Sequence, residues 1–297
     1  MPMSRRELIA ASAAVGVAAA VPARARQSAP KAKLLLSSQE GIIPARDLPE
    51  RLAKMEKWGF DGIEVGGGGF PGRVEELNRA LANTRIKISA ICAGTPGGPL
   101  VNENPETRKK AVAAIKELLT CAGELKSTGV IIVPAFNGQT TLNHVEARKV
   151  LMDLLPEIGE HGAKVGGRIL LEPLNRGEAW FLRQLADAAA MCREVNSPGV
   201  AMMGDFYHMN IEEPSDMGAF ISGGKWLHHV HLASRKRVLP GQDERDFTNG
   251  FKGLKLIGYQ DYCSLECGCD GDREVEIPKA VKFLREQWSK AHDPAVH

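Results

Sequence analysis

The sequence predicts a TIM barrel, the closed (β/α)8 fold, in a single domain. Short apolar runs alternate with longer helix-like stretches along most of the chain. Several of these runs are nearly continuously apolar, which is typical of a parallel sheet covered by helices. The chain has 297 residues, and about eight strand–helix units follow one another in it. Both numbers agree with the usual size and repeat count of this fold.

Eight short segments are predicted as strands because they alternate with longer helix-like stretches, and several of them are nearly continuous apolar runs. They are residues 33–37, 62–65, 86–92, 130–134, 168–172, 200–205, 228–232 and 262–266. Longer segments between them have the spacing of amphipathic helices. These are residues 48–58, 74–83, 107–125, 143–161, 182–195 and 277–287.

A doubly wound open sheet is the competing architecture for alternating strands and helices. Such a sheet usually carries a glycine-rich phosphate-binding turn after its first strand. Here the first predicted strand runs into SSQEGIIPARD, which is no such turn. The four glycines at 66–69 lack the G-x-G-x-x-G spacing and have no helix directly behind them. The sequence therefore favours the barrel.

Residues 1–25 resemble an export signal. Two arginines in SRRELI precede a short alanine-rich apolar run, and ARA at 23–25 gives a small-residue cleavage site. The paired arginines are similar to the twin-arginine signal, so we expect cleavage after residue 25 and a periplasmic protein. The apolar run is too short to span a bilayer. We assign 26–32 to a linker, 33–290 to the barrel and 291–297 to a tail.

Composition excludes some partners and leaves other properties open. The formal net charge is +2, from 38 basic and 36 acidic residues. Because no basic stripe with interleaved aromatic residues stands out, nucleic acid is not an expected partner. The six cysteines do not have the spacing of a zinc knuckle. The sequence decides neither a disulfide nor a homo-oligomer.

Polar side chains stand at the carboxyl ends of the last four predicted strands. The fifth strand ends on Glu172, the sixth on Asp205 and the eighth on Glu266, and His231 lies near the end of the seventh. In a barrel these ends face one mouth, where active sites are built. Three carboxylates and one imidazole suit a hard divalent ion such as Mn²⁺. Such an ion would also offset the cost of burying Glu172.

The segments LLEPLNRGE, DFYHMNIEE, HVHLASRKRVLPGQ and SLE are similar to the sugar (phosphate) isomerase/epimerase family with the xylose isomerase-like TIM barrel. Among its characterised members, they most resemble the ketose 3-epimerases of the tagatose and psicose type. The resemblance extends over about 33–287. It implies one divalent ion per chain, Mn²⁺ being expected and Co²⁺, Mg²⁺ or Zn²⁺ being alternatives. The implied ligands are Glu172, Asp205, His231 and Glu266, and the implied substrate-binding residues are Glu178, His208 and Arg237.

The resemblance also implies an activity. In this chemistry a metal-chelated carbonyl acidifies the neighbouring C–H, and an enediolate forms when the proton leaves. Glu172 and Glu266 would be the catalytic pair that removes the proton and returns it on the opposite face. The expected substrate is a non-phosphorylated ketose or keto-sugar, and the expected enzyme is a sugar isomerase or epimerase.

Three other functions remain to be weighed. Residues 234–237 (SRKR) are more basic than in the ketose epimerases, and CGC at 267–269 differs from them. These departures bring in a 3-keto-glycoside epimerase or lyase of the same fold. A non-catalytic sugar-binding barrel would lack a carboxylate of the Glu172/Glu266 pair, and both are present. A DNA-repair barrel of the endonuclease IV type would need more histidine ligands and a basic DNA-binding face.

Overall fold

The computed structural model describes residues 31–292 and contains a closed barrel of eight parallel strands. Each strand pairs with the next along the chain, and β1 closes the barrel on β8. The predicted TIM barrel is thereby confirmed. The strands are β1 (Leu35–Gln39), β2 (Gly62–Gly66), β3 (Lys87–Gly94), β4 (Val130–Ile132), β5 (Ile169–Leu171), β6 (Val200–Asp205), β7 (Leu227–Leu232) and β8 (Tyr262–Leu265).

Helices follow every strand, and three of them follow β6 and β7 where no helix was predicted. These three are α6 (Phe206–Glu212), α7 (Asp216–Gly223) and α8 (Thr248–Leu256). The others are α1 (Leu48–Trp58), α2 (Val74–Leu81), α3 (Pro105–Glu124), α4 (His144–Val165), α5 (Leu185–Val195) and α9 (Arg273–Lys290). Each of these six overlaps a predicted helix, with ends that differ by up to four residues.

Strand ends differ from the prediction in a way that matters for the site. The first strand lies two residues further along than predicted. Glu172 and Glu266 come directly after β5 and β8 instead of ending them. Their backbones still follow the sheet, because Glu172 N–H donates to Ile132 O and Glu266 N–H donates to Leu232 O. Both side chains therefore start from the mouth of the barrel.

The predicted export signal at 1–25 lies outside the described residues, as do most of the predicted linker and tail. Between residues 31 and 292, none of the helices combines the length and the apolar character that a bilayer crossing requires.

Helix ends show why the chain folds locally as it does. At the start of α4 the Asn143 side chain accepts the backbone N–H of Val145 and of Glu146, and the Glu146 carboxylate accepts the N–H of Asn143. This reciprocal capping box pairs N–H groups that a helix start leaves free. The same helix ends at Gly166, whose φ of 76° suits glycine.

Apolar residues pack on both faces of the barrel sheet. The larger core lies between the sheet and the helices. A smaller cluster lies inside the barrel and is formed by residues of four neighbouring strands, β3 to β6. Its members are Ala90, Ile131, Leu170, Ala201 and Met203, all at most 2% exposed. The barrel interior is thus packed rather than an open channel.

Candidate active site and metal centre

The four predicted ligand residues come together at the mouth of the barrel. Asp205 at the end of β6 and His231 on β7 are partners in the strand register. Glu172 and Glu266 follow the neighbouring strands on either side. One ligand atom from each residue lies within 4.8 Å of the others. Asp205 and His231 have no solvent exposure, and Glu172 is 5% exposed.

Two buried atoms at the centre of this cluster lack a hydrogen-bond partner among the described residues. Asp205 Oδ1 accepts the backbone N–H of Tyr207 at 2.7 Å and so caps α6, but Asp205 Oδ2 has no partner. His231 Nδ1 also has none. It lies 3.1 Å from Glu266 Oε2, 3.5 Å from Glu172 Oε1 and 4.0 Å from Asp205 Oδ2. Unpaired buried acceptors are costly and uncommon, so these atoms indicate a missing positive partner.

The carboxylates of the cluster perturb one another. Burial raises the pKa of Glu172 to about 7, with a further increase from the Glu266 charge and an opposing effect of His231. Burial also acts to raise the pKa of Glu266, but the charges of His231 and Arg237 outweigh it and bring this pKa to about 2. Burial acts to lower the pKa of His231, but Glu266 and Glu64 raise it well above its usual value. Glu172 and His231 thus hold a proton more readily than usual, which is the response expected of closely spaced carboxylates whose charge no cation offsets.

The residues present fit a divalent ion. Three carboxylates and one imidazole form a hard, mostly oxygen donor set of the kind that Mn²⁺ and similar ions prefer. Three of the four residues are buried, their ligand atoms are close together, and two of these atoms have no hydrogen-bond partner among the described residues. A doubly charged cation would supply the missing partner for both.

His208, one of the predicted substrate-binding residues, stands beside the cluster as a neutral ring. Its Nδ1 accepts the backbone N–H of Asn175 at 3.2 Å, so a neutral ring carries its proton on Nε2, which lies 3.5 Å from Asp205 Oδ2 and 3.2 Å from Arg237 Nη1. Burial lowers the pKa of His208, and the Arg237 guanidinium adds to this, against the opposing charge of Asp205. A neutral imidazole with its N–H facing the site can donate a hydrogen bond to a sugar oxygen.

Arg237 and Glu178 lie on two sides of His208. The Arg237 guanidinium is 2.6 Å from Glu266 Oε2 and 3.7 Å from Asp205 Oδ2. The Glu178 carboxylate accepts an N–H of the Asn175 side chain and is 3.9 Å from His208 Nδ1. The structure thus places all seven predicted site residues around one opening.

Two contacts hold Arg237 in place. Its backbone has a left-handed φ of 55°, which is unusual for a residue other than glycine. Its carbonyl oxygen accepts the N–H of Gly268, and its guanidinium lies over the Tyr207 ring at 4.6 Å. The CGC segment after β8, which the sequence identified only as a departure, therefore supports this arginine.

A second buried polar group was missed from the sequence. Glu64 on β2 is fully buried and accepts hydrogen bonds from His229 Nε2 at 2.7 Å and His231 Nε2 at 2.9 Å. Burial acts to raise its pKa, but the two histidines hold it well below its usual value. Two signals could have revealed this group. Glu64 interrupts an apolar strand, and His229 lies two residues before His231, on the same strand face.

The loop that carries Glu178 is tied to α6. Glu212, with a buried side chain, accepts the backbone N–H of Arg176 at 2.7 Å and its Nε–H at 2.8 Å. This ion pair connects the loop after β5 to the helix that also carries His208. The DFYHMNIEE motif thus supplies both a site residue and the anchor of a neighbouring loop.

Fold and site together define an enzyme of the sugar isomerase and epimerase class. The chain belongs to the xylose isomerase-like TIM barrel family, whose model matches residues 52–287.

Named relatives confirm the prediction of an enzyme that acts on sugars. The chain is 32% identical over 242 residues to the 3-dehydro-D-guloside 4-epimerase of Escherichia coli K12, covering 78% of this chain and 91% of the relative. It is 25% identical over 228 residues to a probable ketose 3-epimerase of a Synechocystis species, covering 74% and 78%. The crystal structure of the E. coli 3-keto-D-glucoside 4-epimerase superimposes with a TM-score of 0.79 at 27% identity, covering 86% of this chain and all of that one.

Proposed function

We propose that the protein is a divalent-metal-dependent sugar epimerase that inverts a carbon beside the carbonyl of a non-phosphorylated ketose or keto-sugar. The observation that carries this proposal is the buried cluster of Glu172, Asp205, His231 and Glu266 with its two unpaired acceptors. These four residues would hold one ion per chain, and we propose Mn²⁺ because the donors are mostly oxygen. When bound, the ion would polarise the sugar carbonyl and so acidify the neighbouring C–H.

The chain's own residues then divide the work. Glu172 and Glu266 approach the site from strands on opposite sides of His231, so each carboxylate can exchange a proton with one face of the sugar. The Nε2–H of His208 and the guanidinium of Arg237 would donate hydrogen bonds to the carbonyl oxygen and stabilise its growing negative charge. Glu178 would accept a hydrogen bond from a sugar hydroxyl.

Solvent exchange can test the proposed reaction directly. The purified protein is incubated with Mn²⁺ in D₂O against a panel of ketoses and 3-keto-glycosides, and NMR locates the exchanged proton. We expect deuterium at one carbon next to the carbonyl, together with the epimer at that carbon. Loss of a neighbouring group instead of an epimer would indicate a lyase of the same fold. Absence of both exchange and product across the panel would contradict the proposal.

A 3-keto-glycoside is the second candidate substrate. The 32% identity to the 3-dehydro-D-guloside 4-epimerase supports this candidate. The basic segment 234–237, which follows β7 and ends in Arg237, also differs from the ketose epimerases. The ratio of kcat/KM for a 3-keto-glycoside to that for a free ketose would decide between the two.

We also propose that the chain is exported by the twin-arginine route and cleaved after residue 25. The layout of residues 1–25 supports this, with paired arginines, a short apolar run and a small-residue end. This route carries folded proteins, which suits a protein that acquires its metal in the cytoplasm.

Replacing Arg5 and Arg6 by lysine is expected to trap the uncleaved precursor inside the cell. Lysine keeps both positive charges, so the change tests recognition of the arginine pair rather than net charge. Cell fractionation with an antibody to the barrel measures the result. Unchanged export of the double variant would point to the general secretory route.

A further inference from the structure

We propose that Glu64 is a positioning residue for the metal centre, acting through His231 and, with Gln39, through Glu266. The inference rests on the proposed function, because it assigns Glu64 a task towards the ion that the cluster would hold. Neither residue belongs to the four candidate ligands or to the residues expected to touch the sugar.

Glu64 contacts the ring of His231. Its Nε2 lies 2.9 Å from Glu64 Oε2 and 3.1 Å from Glu64 Oε1. An ionised carboxylate only accepts hydrogen bonds, so the proton of a singly protonated ring lies on Nε2. The lone pair of Nδ1 then points at Glu172, Asp205 and Glu266, where it can bind a cation. Glu64 thereby fixes both the tautomer and the orientation of the ring.

The side-chain amide of Gln39 joins Glu64 to Glu266. Gln39 and Glu64 are partners in the register of β1 and β2. The Gln39 Nε2 group donates to Glu64 Oε1 and to Glu266 Oε1, each at 2.9 Å. Because Oε1 of Glu266 is held in this way, its Oε2 faces His231 Nδ1 and Arg237. Two of the four candidate ligands, His231 and Glu266, are therefore oriented by the carboxylate of Glu64, the second of them through Gln39.

Glu64, His229 and His231 also lie close enough together to be considered as a second metal site. Their facing atoms are already paired, since two ring nitrogens and one amide donate to one carboxylate. In the four-residue cluster, by contrast, carboxylate oxygens face one another, and Asp205 Oδ2 and His231 Nδ1 have no hydrogen-bond partner within residues 31–292. Because donors and acceptors are matched around Glu64, we assign Glu64 to an outer layer of residues, which hold the metal ligands in place and do not bind the ion themselves. Such layers orient ligating histidines and raise their basicity.

Glu64→Gln tests the proposal, because glutamine keeps the size of the side chain and removes its charge. We expect the affinity for Mn²⁺ to fall ~10- to 100-fold, measured by titrating metal-stripped protein calorimetrically. Ser37→Ala is the matched control. It removes a buried hydrogen bond at 2.7 Å to Ser89 inside the same barrel, and we expect lower thermal stability with unchanged Mn²⁺ affinity.

A spectroscopic readout separates positioning from general stability. In Zn²⁺-loaded protein with ¹⁵N-labelled histidine, we expect a protected Nε2–H signal from His231 that shifts or disappears in Glu64→Gln. If glutamine prevents folding, Glu64→Asp keeps the charge at a shorter reach, and we expect a smaller loss of Mn²⁺ affinity. Native affinity in the folded variants, or an Nε2 without a proton in the native protein, would overturn the positioning role alone. If the native chain binds no divalent ion, the proposed function falls as well.

Discussion

Removal of the divalent ion is expected to abolish epimerisation, and addition of Mn²⁺ or Co²⁺ is expected to restore it. Polarisation by a metal ion is worth several kcal/mol of transition-state stabilisation, so we expect a loss of ~1,000-fold or more. Among the described residues, three carboxylates lie within 4.0 Å of His231 Nδ1 at the centre of the cluster, so a cation that leaves is not replaced there by a basic side chain. The measurement is turnover before and after dialysis against a chelator, with metal content determined on the same samples.

A chelator already saturated with the same ion is the control for effects of the chelator itself. Thermal unfolding gives a second readout, because a ligand that binds only the folded state raises the unfolding temperature. We therefore expect Mn²⁺ to raise this temperature in the stripped protein. Full turnover in a preparation that contains no divalent ion would contradict the prediction.

The sequence predicted those site residues whose position in the barrel follows from strand order alone. The apolar runs predicted all eight strands, and parallel strands in a barrel direct their carboxyl ends to one mouth. Glu172, Asp205, His231 and Glu266 could therefore be grouped before any distance was known. Glu64 and Gln39 could not, because they lie on β2 and β1. Only closure of the barrel and its register bring them next to residues of β7 and β8.

Helix α8, which was not predicted, shows how tertiary packing can outweigh a low helix propensity. Helix α8 contains Gly250 and Gly253, which lower helix propensity by about 1 kcal/mol each relative to alanine. A Cβ at Gly253 would lie 2.9 Å from the Met217 backbone, and one at Gly250 would meet the Phe206 ring. These glycines are needed for close packing against α7 and α6. A prediction from helix propensity alone therefore misses α8, which is stabilised by its packing.

The conformation of Arg237 was also beyond the sequence. The resemblance identified this arginine, but its left-handed backbone and its stacking on Tyr207 depend on long-range contacts. One of these is the hydrogen bond from Gly268, which lies 31 positions further along the chain. Residue type and motif spacing can therefore name a substrate-binding residue without revealing what holds it.

Glu266→Gln is expected to reduce net epimerisation by ~10²- to 10⁴-fold, the usual contribution of a general acid or base. Glutamine has a similar shape but cannot take up the proton. If Glu172 and Glu266 serve opposite faces of the sugar, Glu172 can still exchange the proton of one epimer with solvent. Deuterium incorporation into that epimer should therefore fall much less than its conversion. NMR in D₂O measures both rates on one sample.

Glu172→Gln is the matched variant, and we expect the mirror result, with residual exchange confined to the other epimer. Both glutamates are also candidate ligands, and Glu266 lies 2.6 Å from Arg237. Metal content and KM must therefore be measured alongside, since a lost ion would reduce exchange and conversion equally. If each base acts on one face of the sugar, the rate of conversion should fall much more than the rate of deuterium exchange. If Glu266→Gln retains its metal and full turnover, the assignment of two bases is wrong.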